Sequence, residues 1–276
     1  MRYLYCLLAI TFGISSCTFN TSVPADFVFV KGGFTKNTKS NLYNSQVFVN
    51  DFYMGKYEVT QKEWQEIMGY NPSGFKGEHL PVESVNWYES IEYCNKRSLK
   101  EGLEPVYLID KKEKEKANKS EFDSLKYTIK ISKNANGYRL PTELEWEYAA
   151  SGGQESLGYT YSGSNDINEV AWFWKNSGNK ELTGEWSWMI LESNQCSTQR
   201  TGVKKPNELG IYDMSGNVRE WCEDWYQDYR TSIGLLKSQR GGGWMGAESR
   251  CRIFDRHSFE ATGKGADQGL RLCRSI

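Results

Sequence analysis

Few residues in this chain have the type and spacing that covalent chemistry or metal binding demands. Histidine occurs twice, as His79 and His257, so a metal held by three imidazoles is excluded and a histidine-based triad has little to build on. Cys6 lies in an N-terminal apolar stretch, Cys17 closes it, and Cys94, Cys196, Cys222, Cys251 and Cys273 are spread along the remainder. No two of these are spaced Cys-x-x-Cys, which leaves a zinc site without support. Outside the cytoplasm two of the five can join as a disulfide. The spacing does not say which, and buried single thiols fit equally well. His257 stands among polar residues with no identifiable carboxylate or nucleophile partner, the setting of an exposed contact and not of a base.

The elements that must position these groups come from a chain of 276 residues, 38% hydrophobic and 25% charged, which is enough for one large domain with a sizeable core. Its 10 Trp, 17 Tyr and 12 Phe supply core bulk, and 26 Gly against 6 Pro supply turns. The formal charge is −1 and most Lys is interleaved with Glu, so no polyanionic partner is favoured and nucleic acid is excluded as the expected ligand.

Residues 1–16 read as a signal peptide: Arg2 in a short n-region, an apolar run from Tyr3 to Gly13, then Ile14-Ser15-Ser16 before Cys17. The run is too short to remain as a spanning helix. The ending resembles the lipobox of bacterial lipoproteins, which makes Cys17 the expected lipidation site and residues 17–25 a lipidated tether. The expected location is the outer membrane or cell surface of a bacterium, anchored by lipid chains and not threaded through the bilayer.

From residue 26 to 276 the pattern is that of a single α+β domain with few helices, short strands and long irregular loops. Asp26 to Phe34 and Gln46 to Met54 read as strands. Thr60-x-x-Glu63 is a capping box opening a helix over 61–68, and a second helix starts after Asn86 with Trp87, Ile91, Cys94 and Ser98 on one face and Gly102 as its stop. Strand-like segments at 106–109 and 127–131 flank a polar run, Lys111 to Ser120, which reads as the solvated tip of a hairpin. Thr142 and Glu145 open a third helix burying Leu144, Trp146, Tyr148 and Ala149 before Gly152-Gly153. Short strands are expected at 240–244, 251–254 and 269–274.

Six stretches in order carry a resemblance: Gly55-Lys-Tyr-Glu-Val-Thr60, Pro81-Val-Glu-Ser-Val-Asn-Trp87, Tyr138-Arg-Leu-Pro-Thr142, Asn207 through Trp221, Arg240-Gly-Gly-Gly-Trp244 and Gly269-Leu-Arg271. Together they resemble the formylglycine-generating enzyme (sulfatase-modifying factor) family. The resemblance implies a C-type-lectin-like fold with its first and last strands paired. It also implies, for the enzymes of the family, two cysteines five apart that bind copper through both thiolates. Here the second position matches Cys251, and the first falls on Gly246. A lone thiolate does not make that two-coordinate soft-metal site. The ergothioneine-type branch needs three histidines for its iron and the chain has two. No catalytic residue, cofactor or metal is therefore expected. Structural calcium occurs in the family, and Asn217 lies in a motif associated with one such site, but no full set of oxygen ligands can be assembled around it.

Asn occurs 18 times before Arg240 and never after it, and Lys occurs there once. This falls where one branch of the fold, the variable proteins of diversity-generating retroelements, concentrates variation by randomising adenines of asparagine-type codons. On that resemblance segment 240–274 keeps a framework of Arg240, Gly241, Gly242, Trp244, Cys251, Arg252, Arg256, Gly269 and Arg271. Between these posts Met245, Gly246, Glu248, Arg250, Ile253, Phe254, Asp255, His257, Phe259 and Glu260 form the expected ligand-binding set. They show no helical or strand periodicity, and Phe254, Phe259, Arg250 and Asp255 are the expected anchors. The expected function is a surface-displayed, non-catalytic lipoprotein binding a protein or surface ligand of unknown identity. The alternatives are a copper-dependent formylglycine-forming oxidase acting on sulfatase cysteine and a structural lipoprotein used as an assembly module.

Overall fold

A computed structural model describes residues 24–35, 46–116, 118–226 and 235–276. The signal peptide and Cys17 lie outside the described residues. The chain opens with strands β1 (Phe27–Val30), β2 (Gly33–Thr35), β3 (Val47–Val49) and β4 (Phe52–Gly55). β2 pairs with β3, and β1 pairs antiparallel with β4 from Phe27 opposite Gly55 to Val30 opposite Phe52.

Helix α1 (Gln61–Met68) begins where the capping box placed it: the Thr60 hydroxyl accepts from the Glu63 amide at 3.3 Å and the Glu63 carboxylate accepts from the Thr60 amide at 2.9 Å. Helix α2 (Trp87–Lys100) repeats the device with Asn86 and Glu89 and buries Trp87, Ile91, Cys94 and Ser98 as the spacing predicts. Trp64 of α1 stacks on Tyr93 of α2 with centroids 5.1 Å apart.

Strands β5 (Tyr107–Lys114) and β6 (Tyr127–Ile131) form the hairpin, but the polar run is not simply its solvated tip. β5 continues through Lys114, and Asn118, Ser120 and Asp123 are buried because Asp123 accepts from both Asn118 and the Tyr88 hydroxyl. After β7 (Tyr138–Arg139), helix α3 (Glu143–Ala150) is capped by Thr142 and Glu145. Trp146, Tyr148 and Ala149 are buried as expected, whereas Leu144 is only half-buried, and Glu143 and Glu147 are buried carboxylates that periodicity did not reveal.

The rest comprises α4 (Ile167–Val170), β8 (Ala171–Trp172), α5 (Trp188–Ser193), β9 (Ser215–Gly216), β10 (Arg219–Trp225), β11 (Lys237–Arg240), β12 (His257–Phe259), β13 (Gln268–Gly269) and β14 (Cys273–Ser275). One four-stranded sheet has the order β1-β4-β14-β7 and a second the order β12-β11-β10-β13. The expected pairing of first and last strands is thereby corrected: β14 takes the free edge of β4, which separates it from β1. Other strand expectations also change: 26–34 and 46–54 each divide into two strands, and 269–274 holds only the end of β13 and the start of β14, which lie in different sheets. The strand predicted at 240–244 ends at Arg240, where Gly241 and Gly242 turn the chain with φ of 93° and 74°. Residues 251–254 are not a strand, because Cys251 closes a single 3₁₀ turn, Glu248–Cys251.

Three apolar clusters fill the domain. One joins α1 and α2 to Tyr138, Trp221 and Leu272; a second packs α3 on Phe52, Met54 and Cys222; a third gathers Phe173, Trp174, Leu191, Trp244 and Cys251. Cys94, Cys196, Cys222, Cys251 and Cys273 are all buried free thiols.

Candidate functional site: the segment after Arg240

Segment 240–260 is irregular in backbone yet held from several sides. Arg240 is fully buried. It pairs with Glu143 at 3.0 Å and with Glu147, both on α3, and its Nη1 donates to the carbonyls of Ile253 at 2.8 Å and Asp255 at 2.9 Å. Further along, the Trp244 amide donates to Asn217 O at 2.7 Å, the Trp174 amide to Gly246 O at 3.3 Å, and the Ile253 amide to Thr160 O at 3.1 Å. Gly242 is required as glycine: a Cβ there would stand 2.6 Å from Arg250 O, and its positive φ already disfavours any side chain. Ser215 Oγ donates to Cys251 O at 2.8 Å. Between Arg240 and β12, regular pairing is thus replaced by the Arg240 side chain and by backbone contacts with Asn217, Trp174 and Thr160, so the path there does not depend on most of the intervening side chains.

The ten expected ligand-binding residues divide accordingly. Arg250 is exposed, and Glu248 and Asp255 are half-buried at the surface; Glu248 pairs with Lys175 at 2.7 Å and Arg250 with Asp255 at 3.4 Å. Both ion pairs are solvent-facing and contribute little stability. Met245 packs against the third cluster, Phe254 against the second and Phe259 against the first, each still half-buried, and Glu260 is half-buried as well. Two members are corrected. Ile253 is 1% exposed and belongs to the second cluster, since the Arg240 bond to its carbonyl turns its side chain inward. Gly246 is buried and offers only backbone, both polar groups of which are bonded within the fold. His257 is not an exposed contact either. It is half-buried on β12 opposite Gln239, 3.2 Å from its Oε1, and burial, helped by the positive charges of Arg219 and Arg250, pushes its imidazole down to about 4. In the expected framework Arg252 is exposed, its carbonyl accepting from the Asp255 amide at 3.1 Å, whereas Arg256 reaches Glu143 at 2.6 Å and the fully buried Arg271 reaches Glu220 at 2.6 Å.

The metals implied by the resemblance do not fit these residues. Position 246 has no side chain, and the Cys251 thiol is fully buried and pushed up to about 12 by loss of solvation, so a thiolate pair for copper is missing. Asn217 is fully buried and engaged within the fold: its Oδ1 accepts from Gln199 N at 2.8 Å and its carbonyl from Trp244 N, while its Nδ2 donates to Glu58 at 2.6 Å. Among the described residues no group of three or more His, Cys, Asp and Glu is placed to hold a metal ion.

Beside the segment lies a groove of ≈ 690 Å³ lined by Phe75, Trp188, Leu191, Cys196, Gln199 and Trp244, among others. Trp186 donates from Nε1 to Met245 O at 2.9 Å and meets Trp188 edge to face at 5.2 Å; Trp188 is 59% and Met189 79% exposed. These three residues were missed in the sequence, where Trp-Ser-Trp-Met in a loop-rich stretch was the available signal. An apolar group so exposed beside a groove is what a binding surface provides.

Residues 16–276 match the model of the sulfatase-modifying factor enzyme 1-like domain. The chain belongs to this family. It is similar to a chaperone protein, LppX, of Paenibacillus barcinonensis, 53% identical over 274 residues that span 99% of this chain and 98% of that protein. It is 30% identical over 161 residues to a formylglycine-generating enzyme of Streptomyces coelicolor, across 49% of this chain and 46% of the enzyme. Among solved structures it resembles Treponema denticola variable protein 1, with a TM-score of 0.71 and 30% identity, covering 90% of this chain and 95% of that one. The C-type-lectin-like α+β fold expected from the motifs is the fold observed, and no helix among the described residues is long and apolar enough to cross a membrane.

Proposed function

We propose that the chain is a non-catalytic, lipid-anchored lipoprotein, displayed at the outer membrane or cell surface, that binds another polypeptide through segment 240–274 and the adjoining groove, and that the side chains of the segment are diversified. The observation that carries this reading is the separation between backbone and side chain in the segment: Arg240, Gly242, Asn217 and Thr160 fix the path, while Arg250 is exposed, Glu248 and Asp255 lie half-buried at the surface, and none of the three belongs to an apolar cluster. A similar protein named a chaperone supports a polypeptide as the ligand, and the exposed Trp188 and Met189 offer it an apolar contact. The likeness to a variable protein supports diversification. The copper-dependent oxidase is the weaker reading, because Gly246 and the buried Cys251 supply no reactive thiolate pair.

A peptide array probed with the purified domain tests the binding role. Wild type should retain a subset of peptides, and the triple variant Glu248→Ala, Arg250→Ala, Asp255→Ala, with an unchanged circular dichroism spectrum, should lose them. Unchanged retention by the variant would move the site away from the segment. The DNA downstream of the gene tests diversification separately: a near-copy of codons 240–274 differing only at adenines, beside a reverse-transcriptase gene, is expected, and its absence ends that part of the proposal.

A further inference from the structure

The molecule holds a second cavity, lined in part by Lys237 of β11, that the proposed binding role does not use. It measures ≈ 340 Å³, the lower end of the range for small-molecule sites, and is lined by Trp87, Tyr88, Tyr127, Trp225, Glu223 and Asp224, among others. Ile131, 48% exposed, also lines it, so the cavity reaches the surface. At its inner wall stands Lys237, 4% exposed, with its Nζ 3.7 Å from the centroid of Trp87 and 4.0 Å from that of Trp225. Trp225 and Lys237 are cross-strand partners on β10 and β11, so the sandwich is fixed by sheet register.

A lysine in such a place is ordinarily neutralised by a carboxylate. Here Nζ donates instead to a backbone carbonyl, that of Glu223, at 2.9 Å. The neighbouring carboxylates are engaged elsewhere: Glu223 accepts from the Tyr107 hydroxyl at 3.0 Å, Asp224 from the Glu143 amide at 2.5 Å, and Asp123 from Tyr88 and Asn118. No ion pair of Lys237 is present among the described residues. An amine that is desolvated, unpaired and set in an aromatic wall is the arrangement that turns lysine into a nucleophile.

We propose that Lys237 is a carbonyl-capture site, at which the Nζ of the lysine forms an imine with a small aldehyde held between the aromatic walls of this cavity. The Nζ lone pair adds to the carbonyl carbon and the oxygen takes up a proton. The resulting carbinolamine loses its hydroxyl as water while the nitrogen gives up a proton and the C=N bond forms, so one water is released and nothing is oxidised or reduced. Trp87, Tyr88 and Trp225 suit a flat, apolar aldehyde body. Burial raises the carboxyl groups of Glu223 and Asp224 above their ordinary range, and both line the cavity beside Lys237. Burial likewise brings the Lys237 ammonium down to about 7, so a substantial share of the amine is free at neutral pH, against very little for an exposed lysine.

The test is reductive trapping. The purified domain is incubated at neutral pH with benzaldehyde and cyanoborohydride, which supplies the hydride that fixes any imine as a benzylamine, and the adducts are mapped by peptide mass spectrometry. Lys237 should be benzylated about tenfold faster than exposed lysines such as Lys62 or Lys112. Labelling confined to exposed lysines in the wild-type protein would overturn the proposal without recourse to any variant. Lys237→Met and Lys237→Arg should each abolish the fast adduct, and a fast adduct that persists in either assigns the reactivity elsewhere and likewise overturns it.

Discussion

The Nη1 of Arg240 donates to the carbonyl oxygen of Ile253 at 2.8 Å, joining the end of a buried strand to the middle of the segment it precedes. The same guanidinium is held by Glu143 and Glu147 on α3, so helix, strand and loop meet at one side chain. Removing it takes the buried guanidinium away from Glu147, leaves Glu143 with Arg256 as its remaining arginine, and deprives two loop carbonyls of this donor. Arg240→Ala is therefore expected to cost about 3–5 kcal/mol of unfolding free energy. Arg252→Ala, at an exposed position of the same segment, should stay within about 0.5 kcal/mol of wild type. Paired urea melts measure both.

Acidity should act through groups of opposite sign. Asp213 is fully buried, and desolvation pushes its carboxyl up to about 6. Because its unfolded value lies near 3.9, its burial is a penalty fully present above about pH 6 and relieved as pH falls towards about 4. Asp213→Asn keeps an oxygen for the Gly202 amide, which now donates at 2.6 Å, and Asn tolerates the φ of 58° found there. The variant should be about 1–3 kcal/mol more stable than wild type at pH 7.5, with the advantage fading as pH falls through that window. His257 works in the other direction: its folded value of about 4 lies below the ordinary 6.5, so it contributes a loss of stability that develops as pH falls from about 6.5 to about 4. His257→Gln should remove that loss. Thermal melts of the three proteins across pH 4–8 separate the contributions.

Cys17 is expected to carry the lipid. Metabolic labelling with an alkyne fatty acid should mark the full-length protein and bring it to the membrane fraction, and Cys17→Ala should be unlabelled and released. Equal labelling of the variant would remove the lipoprotein reading.

Much of this was legible because it is local. Thr60, Asn86 and Thr142 each cap a helix with a glutamate three residues on, and the three helices start where those pairs say. Gly242 was legible as framework for a reason the structure supplies, the approach of Arg250 O to within 2.6 Å of any Cβ. What escaped was non-local. Glu147 is buried because Arg240, 93 positions later, neutralises it, and no periodicity in α3 carries that information. The placement of β14 beside β4 and not β1 likewise joins distant stretches. Within the segment, the lack of periodicity gives no sign of which residues between the framework posts face the core. Where anchors from outside set the path, neighbours such as Arg252 and Ile253 can face solvent and core in turn.

The central claim is that the chain is a non-catalytic binding protein in which the two positions where family enzymes bind copper, Gly246 and Cys251, supply no thiolate pair. The measurement that bears on it most directly is incubation of the protein with copper(I), air and a sulfatase-type cysteine peptide, followed by mass spectrometry of the peptide. With Gly246 in place of one thiol and Cys251 buried, the account predicts an unaltered cysteine and no copper retained after dialysis. A peptide aldehyde formed in proportion to the protein, and abolished by Cys251→Ser, would contradict it.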